Sequence, residues 1–309
     1  MTKHLSFAAF ADRWLADYAP VAFKPSTRAE YEGCIRNHLL SRFGALDLGE
    51  VTTSVVQAYV ASALGSSTLS PSSVRNHLTV LRTMFAVAQT WGLIEDNPVN
   101  GVVGPRATRA DITFLSPSEM RQLIEAAPGK WRALIAAACL LGLRKGELLA
   151  LRWADVDFTR ATVRVSSTVY RGLLQPAKTS SSVRTVPLPD YLAIQLQSLR
   201  NASQTEAGFV FSENGMPLDA RIPNRVLARA LRSSGLKPVR FHDLRHSFVA
   251  AHIAAGTPVK VIQQLVGHAS VQTTMDVYGH LIPGLYGQAA TAIESVVFGK
   301  EVDDGDHQA

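Results

Sequence analysis

In His242-Asp243-Leu244-Arg245-His246, the arginine and second histidine stand three and four residues after the first, so on a helix all three side chains share one face. A polar stripe of that kind belongs against a ligand, or it is a solvated face with one histidine turned into the core. Two histidines four apart can also ligate zinc, but the glutamate that serves as base on a zinc-protease helix is missing here. Arg144 follows Gly142-Leu143 at the end of the most hydrophobic stretch of the chain, with Glu147 three residues on. Paired with Glu147 on a surface it would contribute little; held beside a core, its planar fork could donate two parallel hydrogen bonds to a phosphate. Lys178 lies in Pro176-Ala177-Lys178-Thr179, where a hairpin connection is expected and where lysines are mostly solvated. His268 comes just after Gly267, and Tyr278 ten residues later; Tyr286 and Tyr170 are also available phenols, and composition does not choose among the three.

The elements that must position these residues can be read from caps and periodicity. Thr27 and Glu30 have capping-box spacing, and Tyr31, Ile35 and Leu39 follow on one face. Ser54 opens a second short helix, and a third runs from Ser70-Pro71 to Trp91, where Gly92 supplies the stop. These make a helical bundle. Asn97 to Arg109 is rich in proline, glycine and basic residues and lacks any period, as expected of a linker. A helix start at Ser116-Pro117-Ser118-Glu119 and a buried helix from Trp131 to Leu141 follow. The period then changes: Val163 and Val165 alternate with Arg164 and Ser166 across Ala161 to Val169, with Arg184 to Leu188 as the returning strand. Beyond these, Asp243 to Ala255 forms a helix stopped by Gly256, Thr257-Pro258 starts one stopped by Gly267, and Ser270 caps a short helix carrying Tyr278. The resulting expectation is residues 1–100 as a helical domain, 101–115 as linker, 116–285 as a second domain, and 286–309 as a C-terminal helix with an acidic tail.

A chain of 309 residues with 47% hydrophobic content can bury two cores, which excludes a disordered or fibrous reading. No apolar run reaches the roughly 18 to 20 residues of a membrane span, and Asp12, Arg13 and Asp17 interrupt any signal-peptide pattern. A soluble, non-secreted protein follows. Cys34 and Cys139 both sit in apolar helical patterns, so neither a disulfide framework nor a cysteine zinc site is indicated. The net charge of +6 is unevenly placed: residues 108–285 carry 21 Lys and Arg against 12 Asp and Glu, whereas residues 1–107 carry 9 against 8. That distribution points the second domain at an anionic partner.

Taken in order, Gly142-Leu143-Arg144-Lys145-Gly146-Glu147-Leu148, Lys178, His242-x-x-Arg245-His246, Gly267-His268 and Tyr278 resemble the signature of the tyrosine recombinases, the family of phage integrases and chromosome-dimer resolvases. The N-terminal segment, with Pro25-Ser26-Thr27, Tyr31 and Phe43-Gly44, looks like the core-site-binding domain of integrases. The ten-residue step from His268 and the ending Tyr278-Gly279-His280-Leu281 look more like phage integrases than resolvases. Leu141 and Val266 depart from residues common beside these motifs, without touching the motifs themselves. The resemblance implies a mainly α fold with a small antiparallel β-sheet: a helical core-binding, SAM-like domain followed by an α+β catalytic domain.

It also implies roles. Tyr278 attacks a DNA phosphate to leave a 3′-phosphotyrosyl link and a free 5′-hydroxyl. Arg144 and Arg245 stabilise the nonbridging oxygens, His268 adds a hydrogen bond, Lys178 protonates the leaving oxygen, and His242 exchanges a proton near the tyrosine or phosphate. Glu147 orients its neighbours and His246 packs or braces. No metal or other cofactor is expected, because the cations supply the charge. The implied partners are a double-stranded core recombination site and three further copies of the chain, giving a homotetramer on two duplexes, with accessory DNA-bending proteins and no membrane. A bacterial or phage-encoded protein of the cytoplasm and nucleoid, integrating or excising a mobile element, is the expectation. The chain starts near its core-binding domain, ahead of which many phage integrases carry an arm-binding domain; either the protein works without arm sites or the sequence starts late. A chromosome-dimer resolvase, a type IB-like topoisomerase and an inactive DNA-binding protein are the alternatives.

Overall fold

The computed structural model describes residues 4–66, 69–106, 113–176, 183–203, 207–279 and 286–298. The chain divides into two compact units, Met1–Ala110 and Asp111–Ala309.

The first unit is helical. Ser6 caps α1 (Phe7–Arg13), which widens into a π-helical turn (Trp14–Tyr18) just before Pro20 and ends in α2 (Ala19–Ala22); a proline has no N–H to give to the tighter ladder. The same widening at Ile35–Leu39 joins α3 (Pro25–Cys34) to α4 (Leu40–Phe43). Next come α5 (Thr53–Gly65) and α6 (Pro71–Thr90). Ser70 caps α6 as its sequence predicts, but two expected starts move. Thr27 lies inside α3, because Pro25, with its pre-set φ, begins the helix from Lys24. Thr52, rather than Ser54, caps α5 by accepting from Val55 N. Phe7, Phe10, Trp14, Ile35, Leu39, Phe43, Leu81 and Phe85 form the fully buried centre. The proline- and glycine-rich stretch after Asn97 is tied to this unit through Arg106: Thr53 donates to Pro98 O, Gln57 and Val103 exchange two hydrogen bonds, and Arg75 donates to Arg106 O.

The second unit opens with α7 (Pro117–Ala126), at the expected helix start, which forms a capping box: Ser116 Oγ accepts from Glu119 N at 3.2 Å and Glu119 accepts from Ser116 N at 2.7 Å. Such a cap contributes about 1 kcal/mol. The buried α8 (Trp131–Leu140) and the short α9 (Lys145–Ala150) follow. The expected single strand is two strands. β1 (Val156–Asp157), β2 (Thr162–Val165) and β5 (Arg184–Pro187) make one antiparallel sheet, with Val163 opposite Val186 and Val165 opposite Arg184. After Ser166, β3 (Ser167–Tyr170) and β4 (Leu173–Pro176) form a separate hairpin. Arg171 and Gly172 turn it at φ 50° and 79°, the backbone a two-residue hairpin loop needs.

Then come α10 (Asp190–Ser203), the small β6 (Ser212–Glu213) and β7 (Met216–Pro217) pair, and α11 (Ile222–Ser234). Four helices follow among the described residues: α12 (Asp243–Ala254), α13 (Val259–Val266), α14 (Val271–Tyr278) and α15 (Tyr286–Phe298). Gly267 ends α13 at φ 68° and Ser270 caps α14, as expected. Thr257 does not cap α13; its hydroxyl bonds His252 instead.

Candidate active site

The Gly-Leu-Arg-x-Gly-Glu segment is built by close approaches. Gly142 holds φ +61°, and a Cβ there would meet the Phe248 ring at 2.5 Å, so only glycine lets α8 end against α12. A Cβ at Gly146 would meet Thr168 Oγ1 at 2.4 Å and Val169 O at 2.9 Å, so α9 seats directly on β3. Between them Arg144 starts α9. Its backbone N–H and its guanidinium both donate to Glu147, at 3.0 and 2.9 Å.

Glu147 is 7% exposed and serves two arginines. Besides Arg144 it accepts from Arg184 at 2.9 and 3.3 Å. Burial by itself raises the Glu147 carboxyl, but the hydrogen bonds and charge of Arg184, with those of Arg144, leave it below its ordinary value. It is an anion bridging two cations. In the sequence Arg184 only opens a strand. Its two-residue spacing from Val186 nonetheless puts it on the face of that strand that is buried.

Arg245 is 3% exposed and donates to Gly142 O at 2.6 Å and Val266 O at 2.7 Å. Burial first, and the nearby Arg144 second, pull its pKa down to about 9. It stays charged at neutral pH, so Arg144, Arg184 and Arg245 stand against Glu147 with positive charge in excess. A cluster of that sign is set to receive an anion.

His268 is held by its backbone: Gln263 donates to its carbonyl at 2.5 Å, and its N–H reaches Gln263 O. Its Nδ1 lies 2.9 Å from the hydroxyl of Thr274. Burial and the arginines push its pKa down to about 4, so the ring is neutral at pH 7. With Nδ1 accepting from Thr274, Nε2–H is left as a donor. Neither Gln263 nor Thr274 was visible as a site residue in the sequence.

Tyr278 is 2% exposed and packs with Val249 and Val266. Its hydroxyl is hydrogen-bonded to Nδ1 of His246. Burial raises the phenol to about 12, against the opposing pull of Arg245. Burial lowers His246, with Asp243 opposing and Arg240 and Arg245 adding to it, so the imidazole facing the phenol is neutral. His246, expected only to brace, therefore touches the phenol directly. His242 stands behind it, with ring centroids 5.0 Å apart, and its own pKa is lowered by desolvation, His246 and Arg245. Asp243, 2% exposed, accepts from Arg240 N at 2.7 Å and fixes the start of α12, which presents His242 at its cap and Arg245 and His246 in its first turn. The structure thus brings Arg144, Glu147, Arg245, His246, His268 and Tyr278 into one unit. Lys178 lies outside the described residues, between β4 and β5. Among the described residues no group of three His, Cys, Asp or Glu could hold a metal ion, and no helix is long and apolar enough to cross a membrane.

Comparison with known proteins places this arrangement. Residues 113–283 match the model of the phage integrase family, and residues 6–64 match that of the phage integrase N-terminal SAM-like domain. A XerC-like tyrosine recombinase of Caldanaerobacter subterraneus is 28% identical, over 92% of this chain and 80% of its own. The ICEBs1 integrase of Bacillus subtilis is 29% identical, over 96% and 84%. The fold superposes on the Tn1549 transposon integrase in complex with transposon right end DNA, with a TM-score of 0.76 at 21% identity over 93% of this chain and 98% of that one. A lambda integrase tetramer bound to a Holliday junction gives 0.70 at 20% identity, over 86% and 78%. With the catalytic-domain model spanning both the arginine segment and Tyr278, the chain belongs to the phage integrase family and is a tyrosine recombinase.

Proposed function

We propose that this recombinase cuts and rejoins a specific double-stranded core site through Tyr278, integrating or excising a mobile element. The observation that carries the assignment of the nucleophile is the hydrogen bond from the buried phenol to a neutral His246, on the helix that also carries Arg245. The Tyr278 proton passes to His246 Nδ1 as the phenolate oxygen bonds to phosphorus. The 5′-oxygen leaves and takes a proton from Lys178. The 3′-phosphotyrosyl link conserves the bond energy, so a 5′-hydroxyl of the partner duplex reverses the step. Arg144 and Arg245 neutralise the nonbridging oxygens, His268 donates from Nε2, and His242 assists proton exchange from behind His246.

The DNA is gripped through phosphate contacts of the basic second unit, while the first unit reads the groove. Four copies act on two duplexes, with accessory bending proteins at the site. Ile293, Val296, Val297 and Phe298 of α15 are exposed apolar residues that suit docking on a neighbouring copy. The protein works in the cytoplasm, on the nucleoid.

The test uses a pool of random-sequence duplexes. The protein is incubated with the pool in EDTA, quenched with SDS, and the covalently held DNA is sequenced while the linked peptide is mapped. An adduct on Tyr278 at an enriched sequence is expected. An adduct on Tyr286, or one that survives Tyr278→Phe, would overturn the nucleophile; relaxation of arbitrary supercoiled plasmid without sequence enrichment would favour a topoisomerase.

A further inference from the structure

Three consecutive carbonyls at the end of α13 are each taken by a different arginine. Leu265 O accepts from Arg184 Nε at 2.6 Å, Val266 O from Arg245 at 2.7 Å and Gly267 O from Arg144 at 3.3 Å. Exposed carbonyls at a helix C-terminus carry partial negative charge and favour cations. Here they also fix where three guanidiniums sit, and the next residue is His268. Two of the three arginines share Glu147, which spends one oxygen on both of them and the other on Arg184 and on Arg144 N.

We infer that Arg184 is a positioning residue of the strand-transfer site: by occupying both Glu147 oxygens from the β5 side it holds Arg144 to a single guanidinium bond with that carboxylate, and leaves Arg144 charge and its remaining donors for the DNA phosphate. The inference rests on the proposed role of Arg144. Arg184 itself is 6% exposed in its side chain, whereas Arg144 is 40% exposed, so Arg144 is the member of the pair that can meet a ligand. Without Arg184, the buried Glu147 has one cation left, and Arg144 becomes half of a neutral, forked ion pair. A lysine at 184 would restore charge but cannot serve Leu265 O and both Glu147 oxygens from one planar fork.

Glu147 is the reason that Arg184 is needed. Replacing Glu147 by glutamine keeps an oxygen to accept from Arg144 and removes the charge that would capture it. The experiment is single-turnover cleavage of a nicked duplex of the enriched core sequence, by the full chain, comparing wild type, Arg184→Gln, Glu147→Gln and the double variant. Non-covalent binding of the same duplex and thermal melting are measured alongside. Arg184→Gln should slow cleavage about 10- to 100-fold, the range for losing a partner that orients a liganding group, with binding within about threefold of wild type. The double variant should cleave at least about fivefold faster than Arg184→Gln, because the two residues act on one partner and their effects do not add.

A purely structural Arg184 would not be relieved by Glu147→Gln, since the contact to Leu265 O stays lost. Cleavage by Arg184→Gln within about twofold of wild type, or a double variant no faster than the single, would overturn the inference while leaving the Tyr278 reading intact. A wild-type chain that forms no adduct would overturn both.

Discussion

The hydroxyl of Tyr278 is hydrogen-bonded to Nδ1 of His246, on the α12 helix, and not to His242, the first histidine of the same motif. The spacing of three and four residues put both histidines on one face; only packing decided which of them meets the phenol. Because burial raises the phenol to about 12, ionising it needs an acceptor in contact. His246→Ala should therefore slow cleavage about 10²- to 10⁴-fold, the range of a general base. His246 has a pKa below the ordinary 6.5, so wild-type cleavage should be flat at neutral pH and fall on the acid side. His246→Ala should lose that acid limb in a rate profile. An unchanged limb would remove the base role.

Tyr278→Phe should abolish the covalent adduct while keeping site-specific binding, as measured by gel shift beside SDS trapping. It deletes the hydroxyl that His246 contacts, and the expected stability change is about 1 kcal/mol, the net contribution of one hydrogen bond. Greater loss would mean that the pair also holds α14 in place.

Lys178→Ala should lose cleavage of an ordinary duplex and regain it on a duplex with a 5′-bridging sulfur, because a thiolate leaves without a proton. No regain would take the acid role from Lys178. Cleavage by the wild type should be unchanged by EDTA, since the arginine cluster supplies the charge on which the mechanism draws.

Gly142→Ala should destabilise the chain by about 1–3 kcal/mol, the usual cost of overpacking, from a Cβ 2.5 Å from the Phe248 ring at φ +61°. Gly146→Ala meets the Val169 carbonyl at 2.9 Å and should behave similarly. Urea unfolding reads both. A mild effect at either would mean that α9 can shift, with cleavage then falling more than stability.

His268 links the site to pH. Its folded pKa of about 4 lies below the ordinary 6.5, so the unfolded chain binds the extra proton between these values. The stability that depends on neutral His268 is complete above pH 6.5 and declines as pH falls toward about 4. His268→Gln should flatten that part of a stability-against-pH curve by up to about one proton. An unaltered slope would show that the ring is not held neutral.

The sequence by itself determined a good deal of this protein. The capping box at Ser116 and the starts and stops at Ser70, Gly92, Gly256, Gly267 and Ser270 follow from local rules that act within a few residues. The ordered motifs named Arg144, Arg245, His268 and Tyr278, and with them the family. Local rules failed where neighbours in space took over. Pro25 outran Thr27 as a helix start, and Ser166 split one expected strand into two that pair with different partners. Tertiary structure alone decided that His246 faces the phenol, that Gln263 and Thr274 hold His268, and that Arg184 shares Glu147 with Arg144. Arg184 and Glu147 are 37 residues apart. A hydrogen bond across that distance is set by the packing of β5, α9 and α13 around one buried carboxylate, which no spacing along the chain encodes.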